Sequence, residues 1–385
     1  MRCPRSAVCR DNDLSVREIL ILAGEASGDL HGALLAEHLR ARRADLALVG
    51  TGGARMRAAD VLMLEEHEGV VGFLEVLRHI PAHLRLEKRL RARLASGAVG
   101  LVICIDYPGF NMRMAAAAQA VGAPVLYYIT PQVWAWRAGR MRTMAKIITK
   151  AAVILPFEEA MLRAAGMDAT FVGHPLLDRA REMPLRADAR QRIGMPVDGD
   201  LLALFPGSRA QEIHRHLTDF VAVARELERR RPGLRVVVSV APTIEFRDDD
   251  VPFPMVRSAS FDVLRAADVA LCKSGTTTLE AAVAGCPCAI VYRTSAISYA
   301  IARRLVKIPH IGLLNIVAGR QVAPEFVQDA FRPVPVADAL EPLFDPASPA
   351  RRTMEAGLAE VRARLGTPGA SARVAEMALG MLRES

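Results

Sequence analysis

Aromatic residues are scarce in this 385-residue chain: five Tyr and two Trp offer no ladder of rings for stacking on bases, which sets nucleic acid aside as a partner. Its six cysteines show no zinc spacing. Cys104 and Cys272 fall inside apolar runs, and Cys286 and Cys288 flank a proline, so they read as buried thiols of a reducing cytosol, not as metal ligands or disulfides. Met1 to Arg17 has no apolar core and does not read as a signal peptide; a disordered lead, or a start codon placed too far upstream, is the expectation. No long uninterrupted apolar run exists either. Met114 to Trp136 carries no charge, yet Gln119, Gly122-Ala123-Pro124 and Pro131-Gln132 break it into a helix and a short strand of soluble core. The GxGxxG fingerprint of dinucleotide folds is missing, and no DxD cluster stands beside the strand-end diphosphate loops to hold Mg²⁺.

What remains is an ordinary globular balance, 51% hydrophobic and 24% charged, in a chain long enough for two domains. The net charge of +8 is spread along the sequence and suits anionic partners, either phosphorylated substrates or an acidic membrane surface.

Short apolar runs alternate with helical stretches such as Ala33–Arg42 and Phe73–Leu94. Candidate strands in the first half are Ile19–Ala23, Leu46–Gly50, Leu101–Ile105, Val125–Ile129, Val153–Leu155 and Thr170–Val172. A polar, Arg-rich stretch from Arg179 to Asp200 reads as a linker. Four more strands follow: Leu201–Phe205, Arg235–Val240, Val269–Cys272 and Cys288–Tyr292. Between Val240 and Phe261 there is little room for a further strand-helix-strand unit, which leaves the edge of the second sheet open. All-apolar strands separated by helices predict parallel sheets covered on both faces. The fold class is therefore α/β, with two Rossmann-like doubly wound domains facing a central cleft: residues 18–175, then residues 176–345. Residues 346–385 form helices that pack back on the first domain or on a partner subunit of a homodimer.

Doubly wound sheets bind ligands at the carboxyl ends of their strands. The first such loop carries Gly24, Glu25, Ser27, Gly28 and Asp29, and runs from a strand into a helix, where unpaired N–H groups can meet a sugar hydroxyl or an anion. A tight turn capped by Asp29 is the plainer reading. The third strand ends in Asp106-Tyr107-Pro108-Gly109-Phe110-Asn111; a lone carboxylate there sits where a general base belongs, although Asp106 could equally cap a turn and Asn111 the next helix. Both tryptophans, Trp134 and Trp136, follow a strand two residues apart and read as a wall of the cleft. In the second half, Gly207-Ser208-Arg209 combines a glycine, a hydroxyl, a permanent cation and a helix start, an anion site in miniature. Lys273 precedes Ser274-Gly275-Thr276, whose N–H groups can cradle a diphosphate, and Glu280, one turn on, can reach a ribose diol. His214 and His216 read as a solvated helix face, Asp248-Asp249-Asp250 as an exposed loop, and His174 as a residue of the domain junction that touches either substrate or hinge.

Taken in order, GEASGDLHGA, GFLEVL, IDYPGFN, PQVWAWR, LPFE, FVGHPL, FPGSR, KSGTTTLE and LLNIVAGRQVAPEFVQ resemble the lipid-A-disaccharide synthase family over Gly24 to Gln328. The resemblance implies a GT-B-type, metal-independent glycosyltransferase without cofactors, moving 2,3-diacylglucosamine from UDP to the 6-hydroxyl of 2,3-diacylglucosamine 1-phosphate with inversion. Asp106 then looks like the base, Arg209 and the Ser274–Thr276 loop like the diphosphate binders, Glu280 like the ribose contact, and Asn315 and Arg320 like donor-side cleft residues. It also implies a cytoplasmic enzyme peripheral on the cytoplasmic face of the inner membrane. There the crowded apolar residues Val70, Val71, Phe73, Leu74 and Leu77, with Arg78, would take acyl chains and meet an anionic membrane surface. A core-facing helix is the other reading of that segment. A UDP-N-acetylglucosamine 2-epimerase and a non-catalytic nucleotide-sugar binder share the diphosphate loops and stand as rivals.

Overall fold

A computed structural model describes residues 18–66, 73–132, 139–241, 244, 251–257, 259–305 and 308–384; side chains are described throughout except at 73–82, 297–298, 301–302, 305 and 383–384. The first half holds strands β1 (Glu18–Ala23), β2 (Leu48–Gly52), β3 (Leu62–Glu66), β4 (Val99–Ile105), β5 (Val125–Tyr128), β6 (Lys150–Val153) and β7 (Ala169–Phe171). Its helices are α1 (Ala26–Arg42), α2 (Ala54–Ala58), α3 (Phe73–Ala95), α4 (Pro108–Ala120), α5 (Gly139–Ile147) and α6 (Pro156–Ala164). Next come α7 (Leu176–Arg179), α8 (Arg186–Arg192), β8 (Leu201–Phe205), α9 (Ala210–Arg230), β9 (Arg235–Val240), β10 (Met255–Arg257), α10 (Ser260–Ala266) and β11 (Val269–Lys273). The chain ends with α11 (Thr277–Ala284), β12 (Cys288–Tyr292), α12 (Ala296–Leu305), α13 (Leu313–Ala318), β13 (Glu325–Val327), α14 (Pro333–Leu340), α15 (Pro349–Arg364) and α16 (Ala370–Glu384).

Two parallel sheets result, in the orders β3-β2-β1-β4-β5-β6-β7 and β10-β9-β8-β11-β12-β13. The central strands are buried along almost their whole length, as their Val, Ile and Leu content requires when helices cover both faces. In the first sheet the order reverses between β1 and β4, and in the second between β8 and β11. Those two crevices are where doubly wound folds receive ligands.

Several elements differ from the sequence expectation. The Arg-rich stretch after Pro175 is not a solvated linker: it forms α7 and α8, and Arg190 is buried. Its guanidinium donates to the carbonyls of Ala266 and Val197 and pairs with Asp268 at 2.9 Å, a partner 78 residues away that local composition does not reveal. The edge strand left open by the short 240–261 segment exists as β10, parallel to β9. Two further edge strands, β3 and β13, were not anticipated, because their half-exposed sequences carry Glu among the apolar residues. β6 begins earlier than expected, at Lys150. α1 starts at Ala26 in spite of Gly28 and Gly32. A Cβ at Gly32 would lie 2.5 Å from the Met56 sulfur, so helix α1 accepts the glycine in return for close packing on α2.

The chain crosses between the halves twice. α15 packs its Met354, Leu358 and Val361 into the core of the second sheet, whereas α16 returns Val374, Ala375 and Ala378 to the core of the first. Among the described residues no helix is long and apolar enough to cross a membrane.

Candidate functional site

At the first crevice, the β4 exit is built on backbone that L-residues rarely adopt. Asp106 and Tyr107 both lie in the left-handed region, at φ 45° and 48°, and Ile129 after β5 does too, at 62°. Such residues cost about 1–2 kcal/mol each and persist only where the surroundings hold them. Here Asn111, wholly buried in α4, donates its amide to the carbonyls of Leu22 (3.1 Å), Ile105 (3.1 Å) and Asp106 (2.8 Å), tying the ends of β1 and β4 together. Tyr127, buried in β5, donates its hydroxyl to the same Asp106 carbonyl at 2.8 Å. Asn111 thus lies inside α4 and does not cap it; Tyr107 holds the cap position. The Tyr107 ring lies against Gly24, where a Cβ would sit 2.3 Å from its Cγ, which explains the glycine after β1.

The Asp106 carboxyl is pushed above the usual carboxylate range, first by burial and then by the negative charge of Glu25. The Tyr107 N–H and the positive charge of Arg209 pull it the other way. That last influence comes from the start of α9, after β8 of the second sheet. Glu25 precedes α1 and Ser27 is exposed in its first turn, while Gly28 packs its backbone near Ala23 and Ile105. Asp29 points elsewhere: its carboxylate accepts the N–H groups of Gly53 (2.7 Å), Arg55 (3.1 Å) and Met56 (3.0 Å) and caps α2.

At the second crevice, Gly207 has φ +139° and Ser208 and Arg209 are exposed, with Arg209 at the cap position of α9. Ser274 donates its hydroxyl to the Ile311 carbonyl at 2.7 Å; the Gly275 carbonyl accepts from the Thr278 hydroxyl at 2.9 Å, and Thr276 holds the cap position of α11. Glu280 is buried and pairs with Arg179 at 3.1 Å; Arg179 also lies over the Phe261 ring. Asn315 has no capacity left for a ligand. Its amide donates to Ala323 and Glu325, and its oxygen accepts from Val322 and Ala323, at 2.7–3.0 Å. Glu325 in turn holds the Ile311 and Gly312 N–H groups, each at 3.0 Å, so Asn315 shapes the loop that receives Ser274 without facing the cleft. Arg320 follows the far end of α13 and pairs with Glu360 of α15 at 2.6 Å on the surface. Trp134, Trp136, Val70 and Val71, and the three aspartates 248–250, lie outside the described residues; Phe73, Leu74, Leu77 and Arg78 belong to the backbone of α3.

Sequence reasoning missed three side chains. Glu212 accepts the Ser208 N–H and the Lys273 ammonium; its position three residues after the cap was the available signal. Tyr127 could have been marked as a buried hydroxyl in need of an acceptor. His216 is buried, not solvated. Its Nδ1 lies 2.6 Å from the Glu212 carbonyl and its Nε2 accepts the Arg293 N–H at 3.0 Å, and burial lowers its pKa, so the ring is a neutral brace. His174 sits at the junction, buried, with Nδ1 accepting the Leu176 N–H. Among the described residues no cluster of three or more metal-ligating side chains occurs.

Comparison with known proteins agrees with this frame. Among solved structures, a UDP-N-acetylglucosamine 2-epimerase from Listeria monocytogenes (described as putative) superposes with a TM-score of 0.62 at 11% identity, covering 94% of this chain and 95% of that one. CalG4, the calicheamicin glycosyltransferase, gives 0.57 at 14% identity, covering 95% and 98%. At such identities these share the fold alone, the GT-B pair of Rossmann-like domains. A synthase from Myxococcus xanthus is 42% identical over 373 residues, 94% of this chain and 97% of its own, and one from Syntrophus aciditrophicus 40% over 378 residues, 95% and 98%. Both are lipid-A-disaccharide synthases, and the family model for lipid-A-disaccharide synthetase matches residues 19–360. The chain belongs to the lipid-A-disaccharide synthase family, glycosyltransferases of lipid A biosynthesis.

Proposed function

We propose that this enzyme transfers 2,3-diacylglucosamine from UDP to the 6-hydroxyl of 2,3-diacylglucosamine 1-phosphate, with inversion and without metal. The observation that carries the reading is the half-buried Asp106 carboxyl at the β4 exit, raised by burial and by Glu25 and set on a left-handed turn that Asn111 and Tyr127 hold. Asp106 takes the hydroxyl proton as the O6–C1 bond forms. The C1–diphosphate bond breaks from the other face, and UDP leaves with the electron pair. The charge gathering on the diphosphate is met by Arg209 and by the N–H groups at Ser274–Thr276, each such donor worth roughly 3–4 kcal/mol in a preorganised site. Structures of related fold include an epimerase from Neisseria meningitidis bound to UDP-GlcNAc, which supports a UDP-sugar as the donor. Acyl-chain contact through the segment after Val70, association with the cytoplasmic face of the inner membrane, and homodimer formation belong to the same proposal and rest on the sequence.

Mass spectrometry of products from the UDP-diacylglucosamine and the monosaccharide 1-phosphate tests the reaction, with activity expected to persist in EDTA. UDP release that requires the acceptor rejects an epimerase, which acts on the UDP-sugar alone. Asp106→Asn should abolish turnover while leaving UDP binding within a few-fold of the wild type; retained turnover removes Asp106 from the mechanism.

A further inference from the structure

The anion-binding parts at the second crevice are already engaged with one another through a single side chain. Glu212, one turn into α9, sends Oε2 to the Ser208 N–H (3.1 Å) and Oε1 to the Lys273 ammonium (2.8 Å), with the Arg209 guanidinium 3.8 Å away. A Cβ at Gly207 would stand 2.7 Å from the Glu212 Cβ and 2.8 Å from its Oε2, so the loop is shaped around this carboxylate. Lys273 closes the arrangement from the end of β11, directly before the Ser274–Thr276 turn, and lies 5.7 Å from the centre of the Tyr292 ring. A backbone N–H, an ammonium and a guanidinium converging on two carboxylate oxygens are the same donors that a phosphate group would recruit.

We propose that Glu212 is a displaceable counter-anion of the donor site: it holds Lys273 and the Gly207–Arg209 loop in place until a diphosphate takes over those donors, and Lys273 is thereby a diphosphate ligand. This deepens the donor-site reading above and rests on it. A diphosphate carries more charge than one carboxylate and can engage both strand-end loops at once, so it wins Lys273 while still being repelled by Glu212. That repulsion weakens UDP and aids its departure after transfer.

The test is calorimetric titration of UDP and of uridine into the full chain as wild type, Glu212→Gln, Lys273→Met and the double variant. Glu212→Gln is expected to tighten UDP about tenfold and to leave uridine unchanged, because only the diphosphate feels the lost charge. Lys273→Met should weaken UDP about tenfold, and in that background Glu212→Gln should change affinity less than threefold. Thermal melting checks that each variant is folded, and Glu212→Ala provides a second charge deletion expected to act in the same direction. Weaker or unchanged UDP binding in both Glu212 variants, or equal effects on UDP and uridine, overturns the proposal and makes Glu212 a plain brace. Absence of UDP binding by the wild type would instead sink the donor-site reading itself.

Discussion

Replacing Asn111 by Leu puts the construction of the β4 exit to a quantitative test. Asp106 and Tyr107 are two consecutive non-glycine residues in the left-handed region, a conformation costing about 1–2 kcal/mol per residue, so about 2–4 kcal/mol is stored there. The Asp106 carbonyl has two donors, Tyr127 and Asn111, each worth about 1 kcal/mol net. Leucine removes one of them and takes the amide donor away from the Leu22 and Ile105 carbonyls, for a total of about 2–3 kcal/mol. For a domain of this size that lowers Tm by about 4–12 °C. With half of its support gone, the turn relaxes and shifts the Asp106 carboxylate; misplacement of about 1 Å can cost 100-fold, so kcat should fall about 10- to 100-fold. Tyr127→Phe, which deletes only the second donor, should do the same more weakly. The assay is UDP release at saturating substrates, well below Tm, beside thermal melting. An Asn111→Leu enzyme that melts lower yet keeps wild-type kcat would refute the claim that this network positions Asp106 for chemistry.

The pH profile carries a related expectation. Activity that needs ionised Asp106 rises with pH through a limb lying above the ordinary carboxylate range, and Glu25→Gln, by removing the second-largest cause of the raised pKa, should move the limb of kcat/KM to lower pH; an unmoved limb separates Glu25 from Asp106. Acid stability is governed elsewhere. Burial holds His31 at about 4 and His174 at about 3, below the unfolded 6.5, so the unfolded chain binds more protons as pH falls. Stability present above about pH 6.5 is therefore lost on acidification by about 1.4 kcal/mol per pH unit for each ring, and His174→Gln should flatten the fall of Tm between pH 7 and pH 5. Asn315→Ala strips partners from the buried Ala323 N–H, the half-buried Val322 N–H and Glu325, and should cost about 2–5 kcal/mol in denaturant unfolding; a loss below about 1 kcal/mol would contradict its role as the loop's keystone.

Much of the frame was legible because it rests on local patterns. Buried parallel strands are apolar on both faces, so β1, β4, β5, β8, β9, β11 and β12 announce themselves, and the strand-end loops with them. Edge strands such as β3 and β13 are half exposed and carry charge, and their pairing is decided by neighbours distant in sequence. Polar side chains escape for the same reason. Asn315 and Asp29 stand in motifs beside the cleft, and only the fold shows their hydrogen bonds spent inside the protein. Arg190 looks solvated until Asp268 is brought to it, and Glu212 looks like one more helix charge until Lys273 arrives from another strand.

The two crossings between the halves have a mechanical consequence. At the first, the His174 N–H bonds to the Leu365 carbonyl of the second, at 2.9 Å; Arg373 grips Val172 and Thr367, and Asp178 caps α16 through Gly369 and Ala370. Two tethers fastened side by side behave as a single axle. Neither crossing can shift along the other without breaking these bonds, so the two halves are fastened along a single line.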